Sequence, residues 1–154
     1  MRIDVQCPQP AAVLKVTATL SVTKRIAVSS DKVWQAIESI GGLDRWFPII
    51  MACRVEGTGV GAIRILGLAG GGEMRDRIVE ISDSERRLRY DRFASPFPVE
   101  KYLGTVEVRD AGNGLSEISW SVQLDADASK KDELADLIES AISDGIDGLA
   151  RDLR

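Results

Sequence analysis

Asp76 stands between Arg75 and Arg77, and two tyrosines, Tyr90 and Tyr102, follow on later segments. If Met74, Asp76, Ile78 and Glu80 share one face of a strand, the carboxylate points into a mostly apolar interior, where desolvation raises its pKa. Such a group can serve as a general acid or base, or as a polar anchor for a ligand. The competing reading is an ion pair with a neighbouring-strand arginine, Arg64 or Arg92, and the sequence leaves both open. The tyrosine hydroxyls could hydrogen-bond a ligand carbonyl or simply find a partner in the core. The chain contains no histidine. That removes Ser-His-Asp and Cys-His catalysis and nearly all zinc sites, so no metal is expected; no cofactor is expected either. Cys7 and Cys53 lack C-x-x-C spacing and read as buried or unpaired thiols.

The run Gly57-Thr58-Gly59-Val60-Gly61-Ala62 fits the dinucleotide fingerprint G-x-G-x-x-G/A letter for letter. That fingerprint works only where a helix starts after the glycines, so that its N-terminus meets the pyrophosphate. Here the β-rich Ala62-Ile63-Arg64-Ile65-Leu66 follows and is broken at once by Gly67 and Gly70-Gly71-Gly72. The glycines therefore read as a hairpin turn needing positive φ. The cluster Gly67-Leu68-Ala69-Gly70-Gly71-Gly72 lacks the G-K-[ST] ending of a phosphate loop and also leads into a strand.

The elements that must position these residues follow from periodicity. From Leu14 to Val28 the even positions are almost all apolar, which predicts a long strand with one buried face. Ser29-Ser30-Asp31 offers helix caps, and Val33, Trp34, Ile37 and Ile40 recur at helical spacing before Gly41-Gly42. A short helical piece, Leu43–Phe47, ends at Pro48. Six strands are predicted near Ala52–Glu56, Gly61–Leu66, Glu73–Ser82, Arg87–Ala94, Tyr102–Asp110 and Ser116–Asp125. A final helix runs from an N-cap at Ser129 to Arg154. Its apolar stripe is Leu134, Leu137, Ile138, Ala141, Ile142, Gly145, Leu149 and Leu153. Gly145 and Gly148 sit mid-helix, where glycine costs ~1 kcal/mol relative to alanine. Either the helix packs unusually close to the sheet, or the missing side chains leave room for a ligand. The order implies an α+β fold in which a curved antiparallel sheet grips one long helix.

At 154 residues, 44% of them hydrophobic, the chain is long enough for one domain with a substantial core. We assign it to 14–154, after a lead-in at 1–13. A formal net charge of −4 disfavours nucleic acid and anionic membrane surfaces as partners. No stretch approaches the ~20 apolar residues of a membrane span, and the N-terminus lacks a signal-peptide core, so a cytoplasmic location is expected.

Specific residues carry a family resemblance across Leu14–Arg154. They are Val33-Trp34, Trp46-Phe47-Pro48, the run Val55-Glu56-Gly57 through Gly59-Val60-Gly61-Ala62 to Arg64, Arg75-Asp76-Arg77-Ile78, Tyr102, Trp120 and the terminal helix. Together they resemble the helix-grip (SRPBCC) superfamily of START domains and birch-pollen-type allergens, in its polyketide cyclase/dehydrase-like branch. The plant abscisic-acid receptors are distantly similar. The resemblance implies a seven-stranded curved antiparallel sheet around the C-terminal helix, with two short helices after the first strand. It also implies a deep cavity for an apolar or amphipathic molecule, and no shared catalytic residue. By match to the receptors, Asp76, Tyr90 and Tyr102 face the pocket. Leu66-Gly67-Leu68-Ala69 matches the gate, and Ser95–Val99 the second entrance loop. Met51 stands where the receptors carry the lysine that grips the ligand carboxylate, so that grip is not carried over.

The candidate lining is Trp46, Met51, Ile63, Leu68, Met74, Asp76, Ile78, Tyr90, Arg92, Phe97, Tyr102, Trp120, Val122, Ile138, Ile142 and Gly145. Three functions fit this picture. The first is binding of a lipid, aromatic or polyketide-like molecule by a monomer or homodimer. The second is a cyclase or dehydratase moving protons with Asp76 and Tyr102 or Tyr90, and the third is an interaction module without a functional cavity.

Overall fold

The computed structural model describes residues 14–154; the expected lead-in at 1–13, with Cys7, lies outside them. Strand β1 (Lys15–Ile26) is followed by helices α1 (Ser30–Glu38) and α2 (Leu43–Trp46). Then come β2 (Ile50–Glu56), β3 (Ile63–Leu68), β4 (Glu73–Ser82), β5 (Arg87–Ala94), β6 (Val99–Gly112) and β7 (Leu115–Asp127), and α3 (Lys131–Leu153) closes the chain. The seven strands form one antiparallel sheet in the order β1-β7-β6-β5-β4-β3-β2. The α+β helix-grip architecture is therefore the one that the periodicities and the resemblance imply. Among the described residues no helix is long and apolar enough to cross a membrane.

Local chemistry accounts for most boundaries. Ser29 caps α1, its hydroxyl accepting from the Lys32 amide at 3.3 Å. The fingerprint-like glycines form the β2–β3 hairpin, with Gly57, Gly59 and Gly61 at φ of 86°, 64° and 93°. That is the left-handed region only glycine enters freely. One cap differs from expectation. Lys130, not Ser129, occupies the N-cap of α3 and offers no side-chain bond. The Ser129 hydroxyl donates instead to Asp127 Oδ1 at 3.0 Å, closing the turn that ends β7.

The core lies between the concave face of the sheet and α3. Val106, Ile118, Val122 and Leu124 project from β6 and β7 and are almost fully buried. Facing them, Ile142, Ile146 and Leu149 of α3 are equally sealed. Helix α3 is fastened mainly along its C-terminal half. Lys24 of β1 donates to Asp147 Oδ1 at 2.9 Å and to the Ser143 carbonyl at 3.2 Å. Trp46 Nε1 and Arg45 Nε both reach Asp152 Oδ2, at 3.0 and 3.3 Å. A Cβ at Gly148 would overlap the Trp46 carbonyl, and one at Gly145 would overlap the Phe47 ring. The glycines thus serve close packing of α3 against the α2 segment, and Gly145 leaves no space for a ligand.

Toward its N-terminus the same helix is less tightly covered. Leu137 is 50% exposed, although it belongs to the apolar stripe. Here the layers part, and the site begins.

Candidate functional site

Leu134, Leu137, Ile138, Ala141 and Ile142 of α3 roof a hollow of about 60 Å³. Its floor and walls come from Met74 of β4, Tyr90 and Arg92 of β5, Tyr102 of β6 and Trp120 of β7. Leu43, Phe47, Ile49, Ile50, Ser95, Phe97 and Val99 complete it. Outside lies a cleft of about 480 Å³, bounded by Leu68, Ala69, Gly70 and Gly71 on one side and Pro96 and Phe97 on the other. Ile49, Phe97, Leu137 and Ala141 line both spaces, so the cleft leads into the hollow. The two loops nearly meet, since a Cβ at Gly72 would lie 3.4 Å from Pro96 Cγ. The inner space alone would admit a few atoms; with the cleft it reaches the ~300–1,000 Å³ of small-molecule sites.

Strand register sets the polar end of the hollow. Arg64 pairs with Asp76 across β3–β4, and Asp76 with Arg92 across β4–β5, so three ionic side chains form one row. Arg64 Nε and Nη2 donate to Asp76 Oδ2 at 3.0 and 2.9 Å. Arg92 Nε donates to Oδ1 at 2.7 Å, and its Nη2 to Oδ2 at 3.2 Å. Asp76 is fully buried and Arg64 is 2% exposed. Burial by itself pushes the Asp76 carboxyl up, but the Arg92 and Arg64 guanidiniums outweigh it and hold it below the usual carboxylate range. The Arg92 guanidinium is raised: burial works against its charge, and the neighbouring Asp76 more than offsets that. Arg92 also lies over the Tyr102 ring at 4.5 Å and the Tyr90 ring at 5.4 Å.

Tyr90 accepts from Trp120 Nε1 at 3.1 Å, and its ring lies over Gly104, where a Cβ would overlap it. Burial first, then the neighbouring Tyr90, push the Tyr102 hydroxyl well above the ordinary phenol value. Tyr102 therefore stays neutral and can donate. Arg64 uses its remaining Nη1 on the carbonyl of Ile40, at 3.0 Å. Ile40 sits at φ 71°, where a β-branched residue is strained by roughly 1–3 kcal/mol.

The structure thus divides the candidate residues. Met74, Tyr90, Arg92, Phe97, Tyr102, Trp120, Ile138 and Ile142 surround the hollow, and Leu68 lines the outer cleft. Seven others line neither space. Asp76 is occupied by its two arginines. Trp46 is tied to Asp152, and Gly145 is filled by the Phe47 ring. Ile78 and Val122 are packed into the core, and Ile63 is half-buried at the start of β3. Met51, 69% exposed, stands at the irregularity between Ile50 and Ala52 on edge strand β2. Of the stretch matched to the gate, Leu66 is sealed within β3, whereas Leu68 and Ala69 border the outer cleft. Sequence reasoning missed Leu43, Phe47, Ile49, Ile50, Leu134, Leu137 and Ala141, and put Ser95 and Val99 in the entrance loop rather than in the lining. Four of these lie in the segment around α2, whose docking on α3 no periodicity announces.

Residues 17–154 match the family described as polyketide cyclase / dehydrase and lipid transport. The chain belongs to this family. No curated protein matches it significantly. Among solved structures, an uncharacterised protein from Bacillus thuringiensis is 28% identical with a TM-score of 0.79, covering 88% of this chain and 98% of its own. XoxI from Bacillus cereus is 27% identical with a TM-score of 0.79, covering 88% and 95%. Norcoclaurine synthase from Thalictrum flavum, solved with dopamine and hydroxybenzaldehyde, is 17% identical with a TM-score of 0.73, covering 89% and 86%. At that identity it shows a shared fold alone.

Proposed function

We propose that this protein binds a small apolar or amphipathic molecule between the sheet and the N-terminal half of α3. The observation that carries the reading is the parting of the two layers there. It leaves an apolar hollow with a single polar end, reached through a cleft between two loops. Membership of a family associated with lipid transport agrees with it. Catalysis by Asp76 draws no support from the site, because its carboxylate is held ionised by two arginines and does not line the hollow.

The test uses the neutral fluorescent probe N-phenyl-1-naphthylamine, with Ala141→Phe to fill the junction of hollow and cleft. The purified protein should give saturable fluorescence enhancement at one probe per chain. Ala141→Phe should abolish it while leaving the far-ultraviolet circular dichroism unchanged. Absence of saturable binding, or undiminished binding by the variant, would refute the reading.

A further inference from the structure

We infer that the ligand carries a carboxylate, and that Arg92 and Tyr102 receive it at the inner end of the hollow. The inference rests on the binding reading above and adds the chemical class of the ligand. Two guanidiniums, Arg64 and Arg92, with side chains 3% and 10% exposed, share one carboxylate, Asp76, so the row holds one surplus positive charge. A buried charge without a counter-charge is unfavourable unless something compensates it.

The two arginines are not equivalent. Arg64 satisfies its guanidinium on Asp76 and the Ile40 carbonyl, behind the hollow. Arg92 spends Nε and Nη2 on Asp76. Its Nη1 has no hydrogen-bond partner among the described residues, and Arg92, its side chain 10% exposed, lines the hollow. Tyr102 lines the hollow beside it, with its ring under the Arg92 guanidinium and its hydroxyl close to Tyr90. One cationic and one neutral polar group therefore meet at the end of a mostly apolar space.

The plainer account is that the Tyr90 and Tyr102 rings alone balance the surplus charge. They approach Arg92 with their faces, which stabilises a cation but leaves the Nη1 donor free. A carboxylate oxygen would supply both the missing charge and the missing acceptor. Among the described residues, Arg92 is the only cation lining either space, and Asp144, at the outer cleft, is the only anion. An amphipathic acid thus fits in one orientation, head inward and tail along the cleft.

The experiment compares decanoate, decan-1-ol and decylammonium by calorimetric titration against the unaltered protein and Arg92→Gln. Arg92→Gln leaves Asp76 paired with Arg64 and removes the surplus charge, together with the Arg92 contacts to Asp76 and to the two tyrosine rings. Decanoate should bind about 10- to 100-fold more tightly than decan-1-ol, with decylammonium weakest. The preference for the acid should vanish in Arg92→Gln and persist, reduced, in Arg92→Lys. Equal binding of acid and alcohol, or a preference that survives Arg92→Gln, overturns the inference while leaving the hollow as a binding site. Binding of none of the three overturns the inference, and saturable binding of N-phenyl-1-naphthylamine then shows whether the binding reading falls with it. Should Arg92→Gln fail to fold, the three ligands on the unaltered protein still decide, because a site without a positive pole would not rank decanoate first and decylammonium last.

Discussion

At Asp76, four donor contacts from Arg64 and Arg92 converge on two carboxylate oxygens with no exposure to water. The sequence offered an acid/base group or an ion-pair partner, and the cross-strand register sets Asp76 beside both arginines. Register was not legible, because it depends on turn lengths and on an irregularity between Arg75 and Asp76. The pairing has a consequence for stability. A carboxyl whose folded pKa lies below its unfolded value of about 3.9 stabilises the fold above that value, and the contribution is lost as pH falls through the folded value. Asp76→Asn strands two buried guanidiniums and should cost about 3–5 kcal/mol at neutral pH. In urea unfolding at pH 7 and pH 3, the gap between the two proteins should narrow at the lower pH. A loss below ~1 kcal/mol at pH 7 would contradict a structural role for the pair.

Elements with strong periodicity were readable: β4 and β5 begin and end where alternation and turn residues place them. Contacts between elements were less so. The glycines of α3 signalled either close packing or an open volume, and packing holds, against α2 rather than the sheet. Helix α2 spans only four residues, too few for a period to reveal which face it presents. Its fit against α3 makes the opposite of the usual helix rule hold at Gly148. Alanine in an open helix position gains about 1 kcal/mol over glycine. At Gly148 the added methyl overlaps the Trp46 backbone carbonyl, which cannot rotate away. Overpacking of this kind costs roughly 1–3 kcal/mol, so Gly148→Ala should lower stability despite its better propensity. Thermal unfolding decides: a melting temperature equal to or above that of the unaltered protein would show that the helix can move off α2.

Over the whole molecule, attachment is unequal along one helix. The C-terminal half of α3 is held by Lys24–Asp147, by Trp46 and Arg45 on Asp152, and by glycine-mediated contact with α2. The N-terminal half roofs the hollow, with Leu137 half-exposed and no side-chain cap at Lys130. Local opening is easiest where few apolar contacts are lost. The hollow thus sits under the part of the structure best able to lift, beside loops built from Gly70, Gly71 and Pro96. In hydrogen exchange without ligand, amides of 137–141 should exchange faster than those of 146–150, although both stretches are helical. The difference cannot come from end fraying alone, since 137–141 lies more than a turn inside the helix start at Lys131. A ligand bridging α3 and β5 should slow the first stretch and the loop at 69–72, and leave the second unchanged. Uniform protection along α3 would mean that the roof is as firmly fixed as the anchor, and that entry to the hollow depends on the loops alone.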